Sequence, residues 1–492
     1  MSSGTLLAPT PPPAELAEVE AQNSELARKA FVNLARLSGG KASALRLQST
    51  NNGVMKRAAQ PQRAPVLPAA VEETNVPSKH HQLGRSQVVS PSFPYGQVPI
   101  RGVNIGGWLV LEPWITPSIF NSTEDTSVVD EWTYGRKYGS LEAARLLTPH
   151  WDSWITEDDF AEIASYGLNH VRIPIGYWAL DASEDEPYPQ GQYPYLLKAV
   201  GWAKLHGLKV VIDLHGAPGS QNGFDNSGRR GSVSWPTSQN NINRTREVLQ
   251  TLLNDFYQPE YAGVVTSIEL LNEPAGFVGQ NMIDAVKQYY YDGYGEARYP
   301  GSANGNHTAS DLLVILHDAF QPLPSWKGFM PAPSWQNVAL DTHYYSIFSE
   351  SDLQMSSDQR IQAVCNAKDS LVESNKNLWT MVGEWTPADT DCAAALNGAG
   401  VGSRYDGSYP GSNRIGSCEG KTGDASNFSN EFISFLGQYW EAQTTIFEAA
   451  SGWIQWCWKT ESADEWSYAK GVQYGWIPKD PTQRKFADPC NS

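Results

Sequence analysis

The chain is short of positive charge and of cysteine. Its 492 residues include 36 Lys and Arg against 53 Asp and Glu, which gives a formal net charge of −17. Nucleic acids and anionic membrane surfaces bind proteins through basic patches, so we expect neither as a partner. The five cysteines form no CxxC pair and no Cys/His zinc spacing, so we also expect no metal site.

Three longer signals are also missing. No apolar run reaches the roughly 18 residues of a membrane-spanning helix. The first residues lack the basic-then-apolar pattern of a secretory signal peptide. The glycine-rich stretch "RGVNIGG" (101–107) lacks the GxGxxG spacing and the following helix of a dinucleotide site. The compartment is therefore open, and a nucleotide cofactor is not expected.

What the chain does contain is a large apolar fraction with many aromatic rings. Hydrophobic residues make up 40% of the sequence, and 18 residues are Trp. Most of these serve a core, but indole faces also stack on sugars. Residues 1–93 differ, with proline clusters and few aromatics, and we predict a disordered, low-complexity extension there. Residues 94–492 form the predicted catalytic domain.

Eight apolar, β-rich runs follow, several of them separated by helix-like segments. Strands that are apolar throughout, rather than alternating, are typical of a parallel sheet buried on both faces. The pattern predicts an α/β fold, a (β/α)8 TIM barrel with long active-site loops, with a doubly wound open sheet as the alternative. The runs are 101–111, 169–178, 208–216, 264–274, 311–320, 336–345, 377–386 and 451–459.

Polar or aromatic side chains end most of these runs. In a TIM barrel the carboxyl ends of the strands surround the active site, so these side chains are predicted to meet at one mouth. They are Arg172, His215, Asn272, Glu273, His343, Tyr345, Glu384 and Trp458.

Two of them, Glu273 after the fourth run and Glu384 after the seventh, suggest glycosidic bond cleavage. A retaining glycosidase uses one carboxyl group as acid/base and another, about 5–5.5 Å away, as nucleophile. We expect the neighbouring charge of Glu384 and partial burial to raise the pKa of Glu273. Arg172 is expected to keep a nearby carboxylate ionised, and Tyr345 to orient the attacking one.

Several longer motifs carry a resemblance to a known family. The stretches "IRGVNIGGWLVLEPW", "HVRIPIGYW", "DLHGAPGSQNGFDNSG", "LNEP", "THYYSIF", "GEW" and "WCWKTE" occur in this order. Together they resemble glycoside hydrolase family 5, and within it the fungal exo-β-1,3-glucanases, over residues 95–492. The resemblance implies a retaining enzyme that releases glucose from the non-reducing end of β-1,3-glucan, with transglycosylation possible and no cofactor.

The resemblance also implies roles for individual residues. Glu273 corresponds to the acid/base and Glu384 to the nucleophile. Glu112 corresponds to a carboxylate that binds the terminal glucose, and Trp458 to the indole platform beneath it. Phe224 and Phe348 resemble an aromatic clamp on the next sugar, and Arg404 is expected to contact the leaving glucan. The remaining substrate-binding residues implied are Arg172, His215, Asn226, Asn272, His343 and Tyr345.

The cysteines and sequons bear on the compartment. The resemblance pairs Cys365 with Cys490 and Cys392 with Cys418. Cys457, inside the apolar run "WIQWCWK", is expected to be a buried free thiol. Disulfides and the Asn-x-Ser/Thr sites lead us to expect a secreted or cell-wall glycoprotein, with a cytoplasmic protein as the alternative. We expect a monomer.

Alternatives within and outside this class stay open. Arg229, Arg230 and Gly231 stand where the resemblance leads us to expect an acidic residue, so an endo-acting β-glucanase or β-mannanase is one alternative. An intracellular β-glucosidase acting on lipid-linked glucose is a second. A glucan-binding protein without catalysis is a third.

Overall fold

The computed structural model describes residues 91–302, 305, 308–486 and 489–490. Within them eight parallel strands close into a barrel in chain order, and β1 pairs with β8. The predicted (β/α)8 barrel is thus confirmed, and the open doubly wound sheet is wrong. The strands are β1 (Ile100–Asn104), β2 (His170–Gly176), β3 (Lys209–Gly216), β4 (Val265–Glu269), β5 (Leu313–His317), β6 (Val338–Tyr344), β7 (Trp379–Trp385) and β8 (Gly452–Gln455).

Helices surround the barrel and bury one face each. On the helix Gln239–Phe256, for example, the buried side chains include Val248, Leu249, Leu252 and Leu253, the spacing of a single helical face. No helix in the described part of the chain combines the length and apolarity needed to cross a membrane. The helices are α1 (Pro117–Asn121), α2 (Glu131–Tyr138), α3 (Ser140–Ser153), α4 (Glu157–Ser165), α5 (Tyr193–His206), α6 (Gln239–Phe256), α7 (Gln280–Arg298), α8 (Glu350–Leu353), α9 (Ser357–Asn366), α10 (Lys368–Asn377), α11 (Asn430–Phe447) and α12 (Tyr468–Tyr474).

The strands end earlier than the apolar runs suggest. β1 ends at Asn104 and β4 at Glu269, so the rest of each run is loop. Glu273 therefore lies four residues beyond its strand, with φ at +45°, a backbone conformation that residues other than glycine rarely adopt. The loop after β4 thus holds Glu273 in a backbone conformation that costs free energy.

Aromatic residues close the amino-terminal end of the barrel. The ring of Phe93 packs edge-on against His170 at 4.6 Å between centroids, and only 7% of Phe93 is exposed. The hydroxyl of Tyr95 hydrogen-bonds His170 Nε2 at 3.0 Å and Thr266 Oγ1 at 2.7 Å. The folded domain therefore includes Phe93, which the predicted boundary assigned to the extension. The remainder of that predicted extension, residues 1–90, lies outside the described residues.

Both disulfides implied by the resemblance are present. Cys365 joins Cys490, and Cys392 joins Cys418, each with a Cα–Cα distance of 5.5 Å. Cys457 is free and fully buried, as predicted. The first disulfide ties α9 to the last described residues, and the second closes the long loop that follows β7.

Candidate active site

One buried guanidinium organises the mouth of the barrel. Arg172 on β2 is completely buried, donates four hydrogen bonds and forms an ion pair with a fifth oxygen. Such a cation is tolerable in a core only when its charge and donors are satisfied. The oxygens are Glu269 Oε2 at 2.7 Å, Asn104 Oδ1 at 2.9 Å, Glu384 Oε1 at 2.9 Å, Asn272 Oδ1 at 2.7 Å and Asp213 Oδ2 at 3.1 Å.

Both oxygens of Glu384 accept hydrogen bonds. Arg172 Nη1 donates to Oε1 at 2.9 Å, and the hydroxyl of Tyr345 donates to Oε2 at 3.0 Å. These donors fix the plane of a carboxyl group that is 4% exposed. A carboxylate held in this way is suited to attack an anomeric carbon that binds next to it.

Glu273 lies opposite, and His343 connects the two acids. His343 Nδ1 is 2.8 Å from Glu273 Oε1 and 3.4 Å from Glu384 Oε2, so these oxygens are at most 6.2 Å apart, the sum of the two distances. Inverting glycosidases separate their carboxyl groups by about 6.5–9.5 Å and retaining ones by about 5–5.5 Å. The other oxygen of Glu273 accepts from Asn226 Nδ2 at 3.2 Å. The upper bound of 6.2 Å for this oxygen pair lies below the inverting range and is compatible with the retaining one.

The pKa values of this trio are set by their contacts. Burial alone would lower the pKa of His343, but Glu384, Asp341 and Glu273 raise it well above its ordinary value. Burial would raise the pKa of Glu273, yet the hydrogen bond and the charge of His343 lower it overall. Burial raises the pKa of Glu384 to about 7, although His343 and Arg172 oppose this. The expectation of a raised pKa at Glu273 is therefore wrong for this structure, because His343 donates to it.

His215 and Asn272 form the next part of the site. His215 Nδ1 lies 2.6 Å from Asp213 Oδ2, and its Nε2 lies 3.4 Å from Asn272 Nδ2. Burial lowers the pKa of His215 to about 3, so the ring is neutral. A neutral ring that donates through Nδ1 to Asp213 leaves Nε2 as an acceptor. The ring of Trp456 stacks on it at 5.6 Å between centroids and 13° between planes.

Trp458 lies elsewhere, and its predicted role as sugar platform is wrong. Its indole nitrogen donates to Asp159 Oδ1 of α4 at 2.8 Å, and only 1% of the residue is exposed. Its ring lies 6.3 Å from the rings of Tyr166 and Tyr468, between the barrel and its outer helices. Trp456 is the indole from this segment that reaches the active-site residues.

Glu112 lies at one side of the catalytic pair. Its Oε2 accepts from Trp114 Nε1 at 2.9 Å. Burial raises the pKa of Glu112 well above its ordinary value, and the charges of Asp225, Glu384 and Glu273 raise it further. Asp225, a residue that sequence reasoning missed although its neighbours were named, is thus part of the same acidic group. Burial raises its own pKa to about 7, with Arg230 opposing.

The predicted residues around the entrance have aromatic or ionic neighbours. The half-buried ring of Phe224 lies beside Phe277, with centroids 6.3 Å apart, and that of Phe348 lies 5.7 Å from Tyr345. Arg404 Nη1 is 3.2 Å from Asp391 Oδ2, and its guanidinium stacks on Tyr409 at 3.8 Å. The aromatic clamp and the contact of Arg404 with glucan stay predictions.

Other buried polar residues were not identified from the sequence. Two of them had a signal: Asp213 precedes His215 by two residues, and Asp341 precedes His343 by two. Alternate residues of a strand point to the same face, so each pair shares the barrel interior. The side chains missed are Asn104, Asp213, Glu269, Asp341, Asp225 and Trp456.

Two groups of buried acidic and histidine side chains have ligand atoms close enough together to hold a cation. The groups are Glu273 with His317 and His343, and Glu269 with Asp341 and His343, each with ligand atoms within 4.8 Å of one another. Arg172 already supplies positive charge to Glu269, and His343 Nδ1 lies 2.8 Å from Glu273 Oε1. A cation would compete with both.

Comparison with known proteins agrees with the geometry. A family model described as "Cellulase (glycosyl hydrolase family 5)" matches residues 139–398. The chain is 45% identical to a glucan 1,3-beta-glucosidase of Blumeria graminis, over 87% of this chain and 97% of that protein. It is 44% identical to a probable glucan 1,3-beta-glucosidase A of Aspergillus niger, over 83% of this chain and 94% of that protein.

Among solved structures, a rutinosidase from Aspergillus niger has a similar fold. The TM-score is 0.60 at 19% sequence identity, covering 77% of this chain and 98% of that chain. At this level of identity the likeness concerns the fold alone.

Proposed function

Because the chain belongs to glycosyl hydrolase family 5, we propose that it is a retaining exo-glucosidase that releases glucose from the non-reducing end of β-1,3-glucan. The observation that carries the proposal is the position of His343 Nδ1 between the oxygens of Glu273 and Glu384, at 2.8 and 3.4 Å. Curated relatives named glucan 1,3-beta-glucosidase support the choice of substrate.

The reaction proceeds in two displacements. Glu384 attacks the anomeric carbon while Glu273 protonates the departing glycosidic oxygen, which forms a glycosyl ester and frees the shortened glucan. Glu273 then removes a proton from water, which attacks the same carbon, and glucose leaves with retained configuration. Another sugar hydroxyl can replace water at this second step, so transglycosylation is expected at high substrate concentration.

The proton must be on Glu273 before the first step, and the negative charge on Glu384. The hydrogen bonds of the structure favour the opposite order, since the pKa of Glu273 is lowered and that of Glu384 is raised to about 7. His343 Nδ1 faces both acids, so it can pass its proton to Glu273 and receive one from Glu384. Positive charge developing at the anomeric carbon favours the ionised Glu384.

Contacts beside the catalytic pair favour exo action. Glu112 and Asp225 form an acidic group suited to the hydroxyls of a terminal sugar. Arg230, from the loop after β3, donates through its backbone to Asp130 Oδ2 at 2.6 Å and through Nη1 to the carbonyl of Ala399 at 3.2 Å. It thus links the loop after β3 to the loop after β7.

Product analysis tests the proposal. Purified protein is incubated with laminarin, cellulose and mannan, and the products are separated over time. Glucose as the sole early product from laminarin, first in the β-anomeric form by NMR, is the expected result. Mixed oligosaccharides would establish endo action, and α-glucose would establish inversion. Glu384→Gln, which keeps the side-chain size, serves as the inactive control.

We also propose an extracellular or cell-wall location and a monomer. Two disulfides persist most readily in oxidising compartments. Asn121, Asn243 and Asn427 begin sequons and are exposed, which suits N-glycosylation. Fractionation of the native protein, endoglycosidase treatment and light scattering test these three points.

A further inference from the structure

We propose that Asp341 is a positioning residue that fixes both catalytic carboxyl groups, Glu384 through the backbone of Gly383 and Glu273 through the ring of His343. The inference rests on the proposed function for its meaning in catalysis. Asp341 is fully buried on β6 and is distant in sequence from both acids.

The first connection is to the residue before the nucleophile. The ladder between β6 and β7 passes from Thr342–Val382 to His343–Glu384 and skips Gly383. At such a bulge a residue is left out of the ladder pairing. Asp341 Oδ1 accepts from the Gly383 nitrogen at 2.6 Å, and Asn104 Nδ2 donates to the Gly383 carbonyl at 2.8 Å. Both backbone polar groups of Gly383, the N–H and the carbonyl, are thereby hydrogen-bonded to side chains.

The approach of Asp341 explains why glycine precedes the nucleophile. A Cβ atom at position 383 would lie 1.9 Å from Asp341 Oδ2, closer than real Cβ contacts come. The side chain of Asp341 thus occupies the space directly over Gly383. Its two oxygens can then serve different partners.

The second connection is to the ring beside the acid/base. Asp341 Oδ2 lies 3.6 Å from His343 Nε2, and neither atom has a hydrogen-bond partner among the described residues. The opposite ring nitrogen, Nδ1, is 2.8 Å from Glu273 Oε1. The carboxyl group of Asp341 beside Nε2 favours a proton on that nitrogen. The ring can then carry a second proton on Nδ1, the nitrogen that faces Glu273, so the protonation of the ring depends on Asp341.

Other charges act on the same ring from neighbouring strands. Glu384 of β7 lies 3.4 Å from Nδ1, and His317 of β5 packs edge-on at 4.3 Å between centroids. Asp341 is the acid nearest Nε2. Further charged or titratable groups surround the ring at greater distance, on β2, β3, β4 and just after β5. These more distant groups are Arg172, Asp213, His215, Glu269 and Asp318.

The test is Asp341→Asn, which keeps an oxygen for Gly383 but presents an amide donor to His343 Nε2. That nitrogen must then accept, so the ring cannot carry a second proton. We expect kcat on laminarin to fall roughly 10- to 100-fold with KM nearly unchanged, the effect of losing a charged contact outside the substrate site. The basic limb of the pH–rate profile should move down by about one unit or more, since His343 loses its proton more easily.

The matched control is Asp318→Asn. Asp318 is a buried acid at the end of the neighbouring strand that accepts from Thr342 Oγ1 at 2.6 Å and from the Phe320 nitrogen at 2.8 Å, but contacts neither Gly383 nor a nitrogen of His343. Its charge acts on His343 only from a greater distance, so Asp318→Asn should move the basic limb less than Asp341→Asn does. An unchanged basic limb and kcat in Asp341→Asn, with an active wild type, would overturn the inference, whereas an inactive wild type would overturn the proposed function.

A second measurement needs no substitution at Asp341. In wild-type protein labelled with ¹⁵N-histidine, both ring nitrogens of His343 should remain protonated at pH 7, above the ordinary histidine pKa of about 6.5. The resonance is assigned by its loss in His343→Gln. A neutral His343 ring at pH 7 would refute the role of Asp341.

Discussion

Replacing Arg172 by lysine keeps the positive charge but should still lower the free energy of unfolding substantially. The guanidinium donates four hydrogen bonds and forms an ion pair with Asp213, while an ammonium has three N–H groups. At least one of the hydrogen-bonded oxygens must lose its donor in a fully buried site. At about 1.5–3 kcal/mol for a charged hydrogen bond, this loss alone costs about 1.5–3 kcal/mol. Total stabilities are only about 5–15 kcal/mol.

The same substitution should shift the pH dependence of catalysis. Arg172 opposes the rise in the pKa of Glu384, which stands at about 7 with the guanidinium in place. Without the full contact this pKa rises further, and the nucleophile is ionised only at higher pH. The acidic limb of the kcat/KM profile should therefore move to higher pH, and activity at acidic pH should fall.

Urea unfolding and pH–rate profiles of Arg172→Lys measure both effects. Arg246→Lys is the control, because Arg246 pairs with Glu296 at 2.6 Å with 35% of its side chain exposed. An exposed pair of this kind contributes about 0–1 kcal/mol. The central role given to Arg172 would be wrong if Arg172→Lys lost no more stability than Arg246→Lys and if the acidic limb of its kcat/KM profile stayed at the wild-type pH.

Three further outcomes are expected. Glu384→Gln should abolish turnover of laminarin but retain binding of laminari-oligosaccharides, measured by calorimetry; wild-type turnover would exclude Glu384 as nucleophile. Trp456→Phe should raise KM or lower kcat with modest loss of stability. Trp458→Phe should lower the melting temperature and leave the kinetics of the folded enzyme intact. The reverse pattern would show that Trp458, and not Trp456, contacts the substrate. Opening Cys365–Cys490, which are separated by 125 positions, should cost about 5 kcal/mol by loop-closure entropy, seen as a lower melting temperature on reduction.

The barrel could be predicted because its strands have an unusual composition. After its first residue, Lys209, the strand "KVVIDLHG" of β3 is buried throughout and has its polar residues, Asp213 and His215, in its carboxyl-terminal half. That pattern suits a parallel strand between a filled barrel and a helix layer, and eight repeats of it suit a closed barrel. The two glutamates were found from their positions at strand ends, whereas their separate roles and the disulfide pairing followed from the family resemblance.

The wrong prediction for Trp458 shows that strand periodicity gives no side-chain direction beyond the end of a strand. Trp456 and Trp458 differ by two positions, so within a strand both would face the same side. β8 ends at Gln455, however, and side-chain direction beyond it depends on the loop. Trp456 stacks on His215, while Trp458 reaches Asp159 on α4. No periodicity in the sequence distinguishes the two.

The pKa order of the catalytic acids was beyond sequence reasoning for a different reason. Proximity of two carboxyl groups predicts that one pKa rises, but not which one. The choice depends on donors: His343 contacts Glu273 at 2.8 Å and Glu384 only at 3.4 Å. Burial and the positions of His343 and Arg172 together set the order, and the sequence contains none of these distances.

The contacts around the nucleophile also imply that the site forms only when the barrel closes. Gly383, on β7, is held by Asn104 of β1 and Asp341 of β6, and Glu384 is held by Arg172 of β2. β1 and β2 come from the beginning of the domain and meet β7 only across the closing pair of β1 with β8. In an open sheet Arg172 would keep Asp213 of β3 and Glu269 of β4 but would lose Glu384 of β7, and Gly383 would lose Asn104. Closure of the barrel and assembly of the catalytic pair are therefore expected to be one cooperative event.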